Sequence, residues 1–253
     1  MANPVVALQL YTVRNEVEAD YPGTLKKVAA MGYKGVQAGP TKKHDARAVR
    51  AMMDDLGLRS AGVHVGIEML EKEFNAAVDM VKTLGTPYCI IPWMPEERRK
   101  TADGWRATAK VLNGLGAKLQ AAGLHLRYHN HSFEFLTFDG KYGYDLFAEN
   151  VDPGLVGCEI DTYWVKHGNE DPVAYLKRYA GRIQTVHFKD MGRGPDRPMV
   201  PVGTGILDWP KIIAACKAGG CEWAAVEQDD CTPLAPLEAA RISLENCKRW
   251  GLA

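Results

Sequence analysis

Residues 5–15 read VVALQLYTVRN, and this stretch distinguishes between two folds built from the same alternation of strands and helices. It begins with an apolar, β-branched run typical of a buried strand and passes directly into a polar turn. An open, doubly wound sheet normally carries a glycine-rich phosphate-binding turn after its first strand. No G-x-G-x-x-G pattern follows here, so the stretch favours a closed barrel.

Similar apolar runs recur along the chain at intervals of roughly 25–40 residues, a spacing suited to strand–helix units. The further runs are GVQAG from Gly35, RSAGVHV from Arg59, YCIIPW from Tyr88, HLRYHN from His125, VGCEID from Val156, IQTVHFK from Ile183 and EWAAVEQ from Glu222. Together with the first run they make eight predicted strands.

The segments between these runs have helical spacing of apolar residues, and each ends in a glycine, a common end of a helix. They are TLKKVAAMG, DARAVRAMMDDLG, EKEFNAAVDMVKTLG, WRATAKVLNGLGAKLQAAG, PVAYLKRYAG, DWPKIIAACKAGG and LEAARISLENCKRWG. Eight strands alternating with helices predict an α/β fold, a (β/α)₈ TIM barrel, which needs about 250 residues. No linker or change in composition divides the chain, so we expect a single domain over residues 1–253.

The composition is that of a globular protein without a nucleic-acid or membrane partner. Lys+Arg and Asp+Glu both number 31, and no basic run provides a footprint for phosphate groups. Apolar runs such as Cys89–Trp93 are far too short to cross a bilayer, and the first residues lack a signal-peptide pattern. The six cysteines form no C-x-x-C pair, which indicates reduced, buried side chains. We therefore expect a cytoplasmic enzyme.

Polar residues gather at the predicted strand ends, where a barrel carries its active site. The fifth strand ends in RYHNHSFE (residues 127–134), in which His129 and His131 alternate and would share one face of a strand. The other ends supply His64, Asp161, His187, Lys189, Asp190, Glu227, Asp229 and Asp230. A bound divalent cation is the simplest common partner for such groups.

Each candidate also has a plain structural interpretation. Asp161 can cap the following turn, His187 can be a hydrogen-bonded core residue, and Glu227 can be a solvated rim residue. The convergence of carboxylate, imidazole and carboxylate on successive strands favours Mn²⁺, Co²⁺ or Mg²⁺. A structural zinc site would instead show closely spaced cysteines, which the sequence lacks.

The sequence resembles the xylose isomerase-like TIM barrels, the group of sugar phosphate isomerases/epimerases. The motifs that carry this resemblance are LQLYTVRNEV, GTLKKVAAMGYKGVQ, YHNHSFEF, EIDTYWV, VHFKD, VGTGILDW and VEQDD, which span nearly the whole chain. The resemblance implies one divalent metal ion (Mn²⁺, Co²⁺, Mg²⁺ or Zn²⁺), a carbohydrate substrate, no nucleotide cofactor and a homo-oligomer.

The resemblance also implies which side chains hold the metal. Matched by position, three ligands are Asp161, His187 and Glu227. The family glutamate at the end of strand five is missing, so the fourth ligand is expected to be Glu134, with His129 or His131 as the alternative.

Two positions depart from the family pattern, and one matches it. The catalytic histidine of keto-sugar epimerases corresponds to Trp164, and a common glutamate at the end of strand two corresponds to Gln37. Arg193 matches an arginine that contacts substrate hydroxyls. The two departures favour a substrate other than a simple ketohexose.

The implied chemistry is proton abstraction next to a carbonyl, with a metal-stabilised enediolate. Glu227 and Glu134 are the expected bases, and His129 and His131 the expected acids. The expected substrate contacts are His64, Trp93, Asn130, Trp164, Lys189 and Arg193, although Trp93 and Trp164 equally suit packing at the rim.

Three functions compete. An isomerase or epimerase comes first, and a lyase, dehydratase or hydratase acting on a keto-sugar, glycoside or cyclitol comes second. A non-catalytic carbohydrate-binding barrel is third, because all the expected ligands are present. Phosphate recognition is not expected, since Gly203–Gly205 is better interpreted as a turn that places Asp208 as a helix N-cap.

Overall fold

The computed structural model describes residues 2–252, which form a barrel of parallel strands surrounded by helices. The main sheet has nine strands in the order β3-β2-β1-β9-β8-β7-β6-β5-β4, so its two ends are consecutive in the chain. The predicted barrel is thereby confirmed. The strands are β1 Val5–Gln9, β2 Gly35–Gln37, β3 Arg59–Ser60, β4 Val63–His64, β5 Tyr88–Ile91, β6 His125–His129, β7 Val156–Asp161, β8 Thr185–Phe188 and β9 Trp223–Val226.

The third predicted strand, RSAGVHV, is divided into β3 and β4. β3 pairs with β2, where Ser60 lies opposite Val36, whereas β4 pairs with β5. The change of partner occurs at Gly62, whose φ of 137° lies in the region that favours glycine. A Cβ atom at Gly62 would stand 2.5 Å from Ile90 Cδ1, so the close approach also requires glycine.

The helices cover the outside of the barrel, and two short antiparallel ribbons lie outside the main sheet, Thr137–Phe138 with Lys141–Tyr142 and Asp190–Met191 with Met199–Val200. The α-helices are α1 Arg14–Ala19, α2 Tyr21–Met31, α3 Ala46–Asp55, α4 Ile67–Lys72, α5 Phe74–Thr83, α6 Ala102–Ala121, α7 Gly143–Asn150, α8 Thr162–His167, α9 Pro172–Arg178, α10 Trp209–Gly219 and α11 Pro236–Arg249. Short 3₁₀ turns lie at Leu10–Val13, Glu96–Arg98 and Phe133–Phe135.

The predicted helix ends agree with the structure at several points. Gly32 follows α2 with a φ of 105°, and Gly220 follows α10 with a φ of 78°. Both lie in the left-handed conformation that ends a helix at low cost in glycine. Asp208 caps α10 by accepting a hydrogen bond from the Lys211 backbone N–H at 3.2 Å, as the sequence predicted.

Two differences from the predicted helices have local causes. The segment EKEFNAAVDMVKTLG is interrupted at Glu73, whose φ of −133° ends α4 before α5 begins. The short helices α1 and α8 were not predicted, and neither was α7. It starts at Gly143, where a Cβ atom would lie 2.5 Å from Trp105 Nε1, and it is followed by Val151 rather than by a glycine.

The apolar core lies mainly between the strands and the helices, with a smaller part inside the barrel. The interior part contains Ala7, Ala61, Tyr88, Ile90 and Trp223. Towards the carboxyl ends of the strands the buried residues become polar, among them Gln9, Gln37, Glu159 and His187. Buried polar groups are stable only when they bond to one another or to a ligand, so this end of the barrel is the place to look for a site.

Other expectations from composition can also be compared with the structure. All six cysteines are buried and free. Over residues 2–252, none of the helices has both the length and the apolar character needed to cross a bilayer.

Candidate active site

Four ligand-type side chains converge at the carboxyl ends of β6 to β9. His129, Asp161, His187 and Glu227 each bring one donor atom into a group whose atoms all lie within 4.8 Å of one another. All four residues are buried. Parallel strands of a barrel end at the same mouth, which explains the convergence. The structure thus brings Asp161, His187 and Glu227 together, and His129 rather than Glu134 is the fourth member of the group.

Asp161 uses its two carboxylate oxygens differently. Oδ1 accepts a hydrogen bond from the Trp164 backbone N–H at 2.9 Å and so caps α8. Oδ2 is buried and has no hydrogen-bond partner. It lies 3.7 Å from Lys189 Nζ, 3.8 Å from His129 Nε2 and 4.0 Å from His187 Nδ1. The capping interpretation of Asp161 is therefore confirmed for Oδ1, and it leaves Oδ2 without a partner inside the cluster.

His187 stands between two carboxylates. Its Nδ1 lies 3.0 Å from Glu227 Oε2, and its Nε2 lies 3.1 Å from Glu159 Oε2 and 2.8 Å from Gln37 Oε1. Burial alone would lower the pKa of His187, but the two glutamates outweigh burial and raise it well above its usual value. With no metal ion bound, this raised pKa favours the positively charged imidazolium form of His187.

Glu159 is a central residue that the sequence analysis missed. It is fully buried, its Oε1 accepts from Gln37 Nε2 at 2.5 Å, and its Oε2 lies 3.1 Å from His64 Nε2. Burial would raise its pKa, but His187 and the hydrogen bonds from the imidazoles hold it well below the usual value. The available signal was spacing, because Glu159 and Asp161 are two residues apart on β7 and share a face.

Burial also shifts the pKa values of Asp161 and His129 in the cluster and of the neighbouring His131. Desolvation raises the pKa of Asp161 to about 7, opposed by the charges of Lys189 and His187. Desolvation lowers the pKa of His129 to about 4 and that of His131 to about 2. Both of these histidines are therefore neutral at pH 7 and can offer a lone pair, whereas neither carries the extra proton of an imidazolium acid.

Lys189 holds the positive charge next to Glu227. Its Nζ lies 3.1 Å from Glu227 Oε2 and 2.6 Å from Asp229 Oδ2, and it stands 5.1 Å from the centre of the Trp164 ring. Burial would lower the pKa of Lys189, but Glu227, Asp161 and Asp229 together raise it. Burial would raise the pKa of Glu227, but Lys189 and His187 hold it well below its usual value.

Glu134 does not join the cluster. The 3₁₀ turn Phe133–Phe135 turns its side chain back to β6, where Oε1 accepts from the Tyr128 hydroxyl at 2.6 Å and Oε2 from the His131 N–H at 2.9 Å. The side chain is fully buried, and burial raises its pKa to about 7 against the effect of these hydrogen bonds. Glu134 is thus bonded to the YHNH segment through both carboxylate oxygens and does not face the cluster.

A cavity of about 580 Å³ opens over the cluster. Its lining includes Glu227 and His129 from the cluster, together with His64, Trp93, His131, Lys189 and Asp229. Trp93 is 46% exposed, so its ring is available to a ligand. A volume of this size is in the ordinary range for small-molecule sites.

Three expected substrate contacts lie elsewhere. Asn130 is fully buried and uses Oδ1 to accept from the Asp161 backbone N–H at 3.0 Å, which ties the end of β6 to β7. Trp164 packs under Lys189 and His131 and does not line the cavity over the cluster. Arg193 is exposed and lines a separate surface cavity of about 400 Å³.

The cluster fits a divalent cation. Ligands placed about 2.1 Å from one ion lie roughly 3.0–4.2 Å from one another, from neighbouring to opposite positions. This range includes the 3.0 Å between His187 Nδ1 and Glu227 Oε2, and the 3.8 and 4.0 Å from Asp161 Oδ2 to the two histidines. The unpartnered Asp161 Oδ2 supplies the strongest indication, since a buried carboxylate oxygen needs a partner. Two imidazoles and two carboxylates form a mixed donor set that suits Mn²⁺, Co²⁺ or Zn²⁺.

The fold and this site define a class of protein. The chain belongs to the xylose isomerase-like TIM barrel family, whose model matches residues 25–250.

Relatives within this class carry more specific names. An inosose dehydratase from Geobacillus kaustophilus is 29% identical over 189 residues, which cover 66% of this chain and 61% of that protein. This chain therefore spans about three fifths of that relative's length. Seven further inosose dehydratases, from Clostridium and Lacticaseibacillus, are 23–25% identical.

Solved structures extend the likeness. A sugar phosphate isomerase/epimerase from Parabacteroides distasonis has a TM-score of 0.82 at 25% identity, covering 98% of this chain and 94% of that one. The IOLI protein, solved with a bound zinc atom, has a TM-score of 0.76 at 17% identity, with 96% and 97% covered. The latter likeness is one of fold.

Proposed function

We propose that this protein is a divalent-metal-dependent dehydratase that removes water from a polyhydroxylated ketone, such as a keto-sugar or a cyclitol ketone. The observation that carries the proposal is the position of Glu134. Epimerisation by two bases needs a carboxylate on each side of the substrate, and Glu134 was the expected second one. Its two oxygens are occupied by Tyr128 and the His131 N–H, and it does not line the cavity.

Asp229, the other carboxylate next to Glu227, does not take the place of Glu134 as a second base. Asp229 lies on the same side of the cavity, after the same strand, and its Oδ2 is held by Lys189 at 2.6 Å. One base with an adjacent cationic donor is the requirement of an elimination, in which a proton and a hydroxyl leave neighbouring carbons. The names of the eight inosose dehydratases described above support the same assignment.

In this proposal His129, Asp161, His187 and Glu227 hold the metal ion. The bound ion would stabilise the negative charge that develops on the ketone oxygen. His129 contributes a neutral imidazole, since burial keeps its pKa at about 4. The native metal is proposed to be Mn²⁺, Co²⁺ or Zn²⁺ on the basis of the mixed donor set.

The proton steps are assigned to Glu227 and Lys189. Glu227 is ionised, and because Oε2 lies against His187 Nδ1 in the cluster and bonds to Lys189, Oε1 takes the proton from the carbon next to the ketone. Lys189 donates a proton to the departing hydroxyl, which leaves as water. The abstracted proton then returns from the Glu227 carboxyl group to Lys189, its hydrogen-bond partner, and both groups regain their starting charge. His131 and His64 line the cavity and orient the hydroxyl groups.

The test is a product analysis with metal-loaded protein in D₂O. An inosose and a 3-keto-glucose are incubated with protein reconstituted with Mn²⁺ or Co²⁺, and products are followed by NMR and by the ultraviolet absorbance of a conjugated product. We expect loss of water with the wild type and with Glu134→Gln, and none with Glu227→Gln or Lys189→Met.

Other outcomes identify the competing functions. Deuterium incorporation next to the carbonyl, without loss of water, would assign the protein to isomerases or epimerases, the name carried by the Parabacteroides distasonis structure. Sugar binding without exchange or product would favour a non-catalytic barrel. Equal loss of activity in Glu134→Gln and Glu227→Gln would contradict the one-base assignment.

A further inference from the structure

We propose that Glu159 is a positioning residue that fixes the orientation and the tautomer of both histidines in the metal cluster with a single carboxylate oxygen. This inference rests on the proposed metal site and extends it to a residue outside the ligand set.

The geometry around Glu159 Oε2 is the first argument. This oxygen lies 3.1 Å from His187 Nε2 and 3.4 Å from His129 Nδ1. The opposite nitrogen of each ring faces the proposed metal ligands. His187 Nδ1 is 3.0 Å from Glu227 Oε2, and His129 Nε2 is 3.8 Å from Asp161 Oδ2. One carboxylate oxygen therefore lies next to the nitrogen of each ring that points away from the proposed metal ion.

The two rings are held in opposite tautomers as a result. A neutral imidazole has one N–H donor and one lone pair, and the acceptor it faces decides which nitrogen keeps the hydrogen. Glu159 Oε2 stands 3.1 Å from Nε2 of His187 and 3.4 Å from Nδ1 of His129, an atom with no established hydrogen bond, and its negative charge favours a hydrogen on both nitrogens. The lone pairs then lie on His187 Nδ1 and His129 Nε2, the atoms that face Asp161 and Glu227. A carboxylate behind a metal-binding histidine has this orienting effect in many metal sites.

An alternative is that Glu159 binds the metal itself, since His64, His129, Glu159 and His187 also form a group of suitable size. Hydrogen bonding argues against this. Both Glu159 oxygens already have hydrogen-bond partners, Gln37 Nε2 on Oε1 and His64 Nε2 on Oε2. Asp161 Oδ2 has none. The cation therefore belongs on the Asp161 side, with Glu159 behind the two rings.

The contacts of Gln37 explain why the second strand ends in an amide side chain rather than in a carboxylate. Its Nε2 donates to Glu159 Oε1 at 2.5 Å, and its Oε1 accepts from Gln9 Nε2 at 2.7 Å and lies 2.8 Å from His187 Nε2. A glutamate at position 37 would place a second carboxylate against Glu159 with no donor between them. The amide instead braces Glu159 and also favours a hydrogen on His187 Nε2.

The test compares Glu159→Gln with Asp190→Asn, a matched change at another fully buried carboxylate. Asp190 bonds to the backbone N–H groups of Gly203 and Gly205 and to Trp209 Nε1, so it controls for a general loss of stability. Zn²⁺ and Co²⁺ affinities are measured by competition with a chelating dye. Histidine ring tautomers are measured by ¹⁵N NMR of the Zn²⁺-loaded proteins.

We expect Glu159→Gln to bind metal roughly 10–100-fold more weakly and to show mixed tautomers at His129 and His187, with Asp190→Asn like the wild type. If Glu159→Gln does not fold, Gln37→Ala removes the brace on Oε1 and should give a smaller loss of affinity with the same tautomer mixing.

Failure of the positioning role can be distinguished from failure of the metal site. Metal uptake by the wild type with unchanged affinity and tautomers in Glu159→Gln overturns the positioning role alone. The absence of stoichiometric uptake by the wild type overturns the metal site itself, and this inference with it.

Discussion

Replacing Glu134 with glutamine tests whether this residue is a buried structural carboxyl group or a catalytic one. The glutamine amide can preserve both contacts, because its oxygen can accept from the His131 N–H and its NH₂ group can donate to the Tyr128 hydroxyl oxygen. What the change removes is the ionisation of a fully buried group. Burial raises the pKa of Glu134 from 4.5 to about 7 in the folded protein.

The size and sign of the effect follow from this pKa. A raised pKa means that the folded state holds the proton more tightly than the unfolded state. The resulting stability is complete below pH 4.5 and is lost as the pH rises through about 7. For Glu134, the linkage relation gives a loss of about 2.5 kcal/mol in the free energy of unfolding between pH 5 and pH 8. Glu134→Gln lacks this component.

The assay is urea unfolding of metal-free wild type and Glu134→Gln at pH 5 and pH 8. The difference in unfolding free energy between the two proteins should shift in favour of the variant by about 2.5 kcal/mol from pH 5 to pH 8. All other titrating groups are shared and cancel in the comparison. Metal uptake by the variant should equal that of the wild type. If the difference in unfolding free energy did not change with pH, or if the variant lost the metal, the structural role of Glu134 at the YHNH segment would be refuted.

The remaining predictions concern the metal cluster and the barrel interior. Asp161→Asn keeps a capping oxygen but loses the charge on Oδ2, so we expect no stoichiometric Mn²⁺ uptake by elemental analysis; full occupancy would show that the cation lies elsewhere. Metal binding should release protons, because the metal-free protein holds one on His187, whose pKa is raised, and part of one on Asp161, whose pKa is about 7. Affinity should therefore fall as the pH falls, and calorimetric heats should depend on the ionisation enthalpy of the buffer; identical heats in all buffers would contradict this. Gly157→Ala would place a Cβ atom 2.6 Å from Arg127 Cδ and should cost about 1–3 kcal/mol in urea unfolding. Gly114→Ala, on an open helix surface, should instead stabilise by about 0.5–1 kcal/mol, and similar effects at both glycines would be evidence against tight packing inside the barrel.

The barrel could be predicted because its strands and helix ends have strong local signals. Strands buried on both sides are nearly continuous apolar runs, and glycines such as Gly32 and Gly220 mark helix ends with positive φ values. Helix α7 lacks these signals. It has eight residues, and its first residue is a glycine selected by contact with Trp105, which depends on tertiary packing.

The candidate site was predictable where a polar cluster residue closes an apolar strand. Asp161, His187 and Glu227 each close an apolar run, and a barrel brings such ends together. Glu159 was missed because it lies within the run VGCEID, although its spacing from Asp161 places both on one face of β7. Glu134 was expected in the cluster because it is close to YHNH in sequence. A 3₁₀ turn decides its direction, and sequence distance carries no information about such a turn.

The division of the third strand has a consequence for access to the active site. Because Val63–His64 pairs only with β5, the wall of the barrel is open on the β2 side at the height of the cluster. The cavity extends into this opening, where it is lined by the segment 37–41 and by His64. It reaches further outwards to Val17 and Tyr21 on the first two helices. There is consequently room for a ligand beside the barrel axis as well as above it.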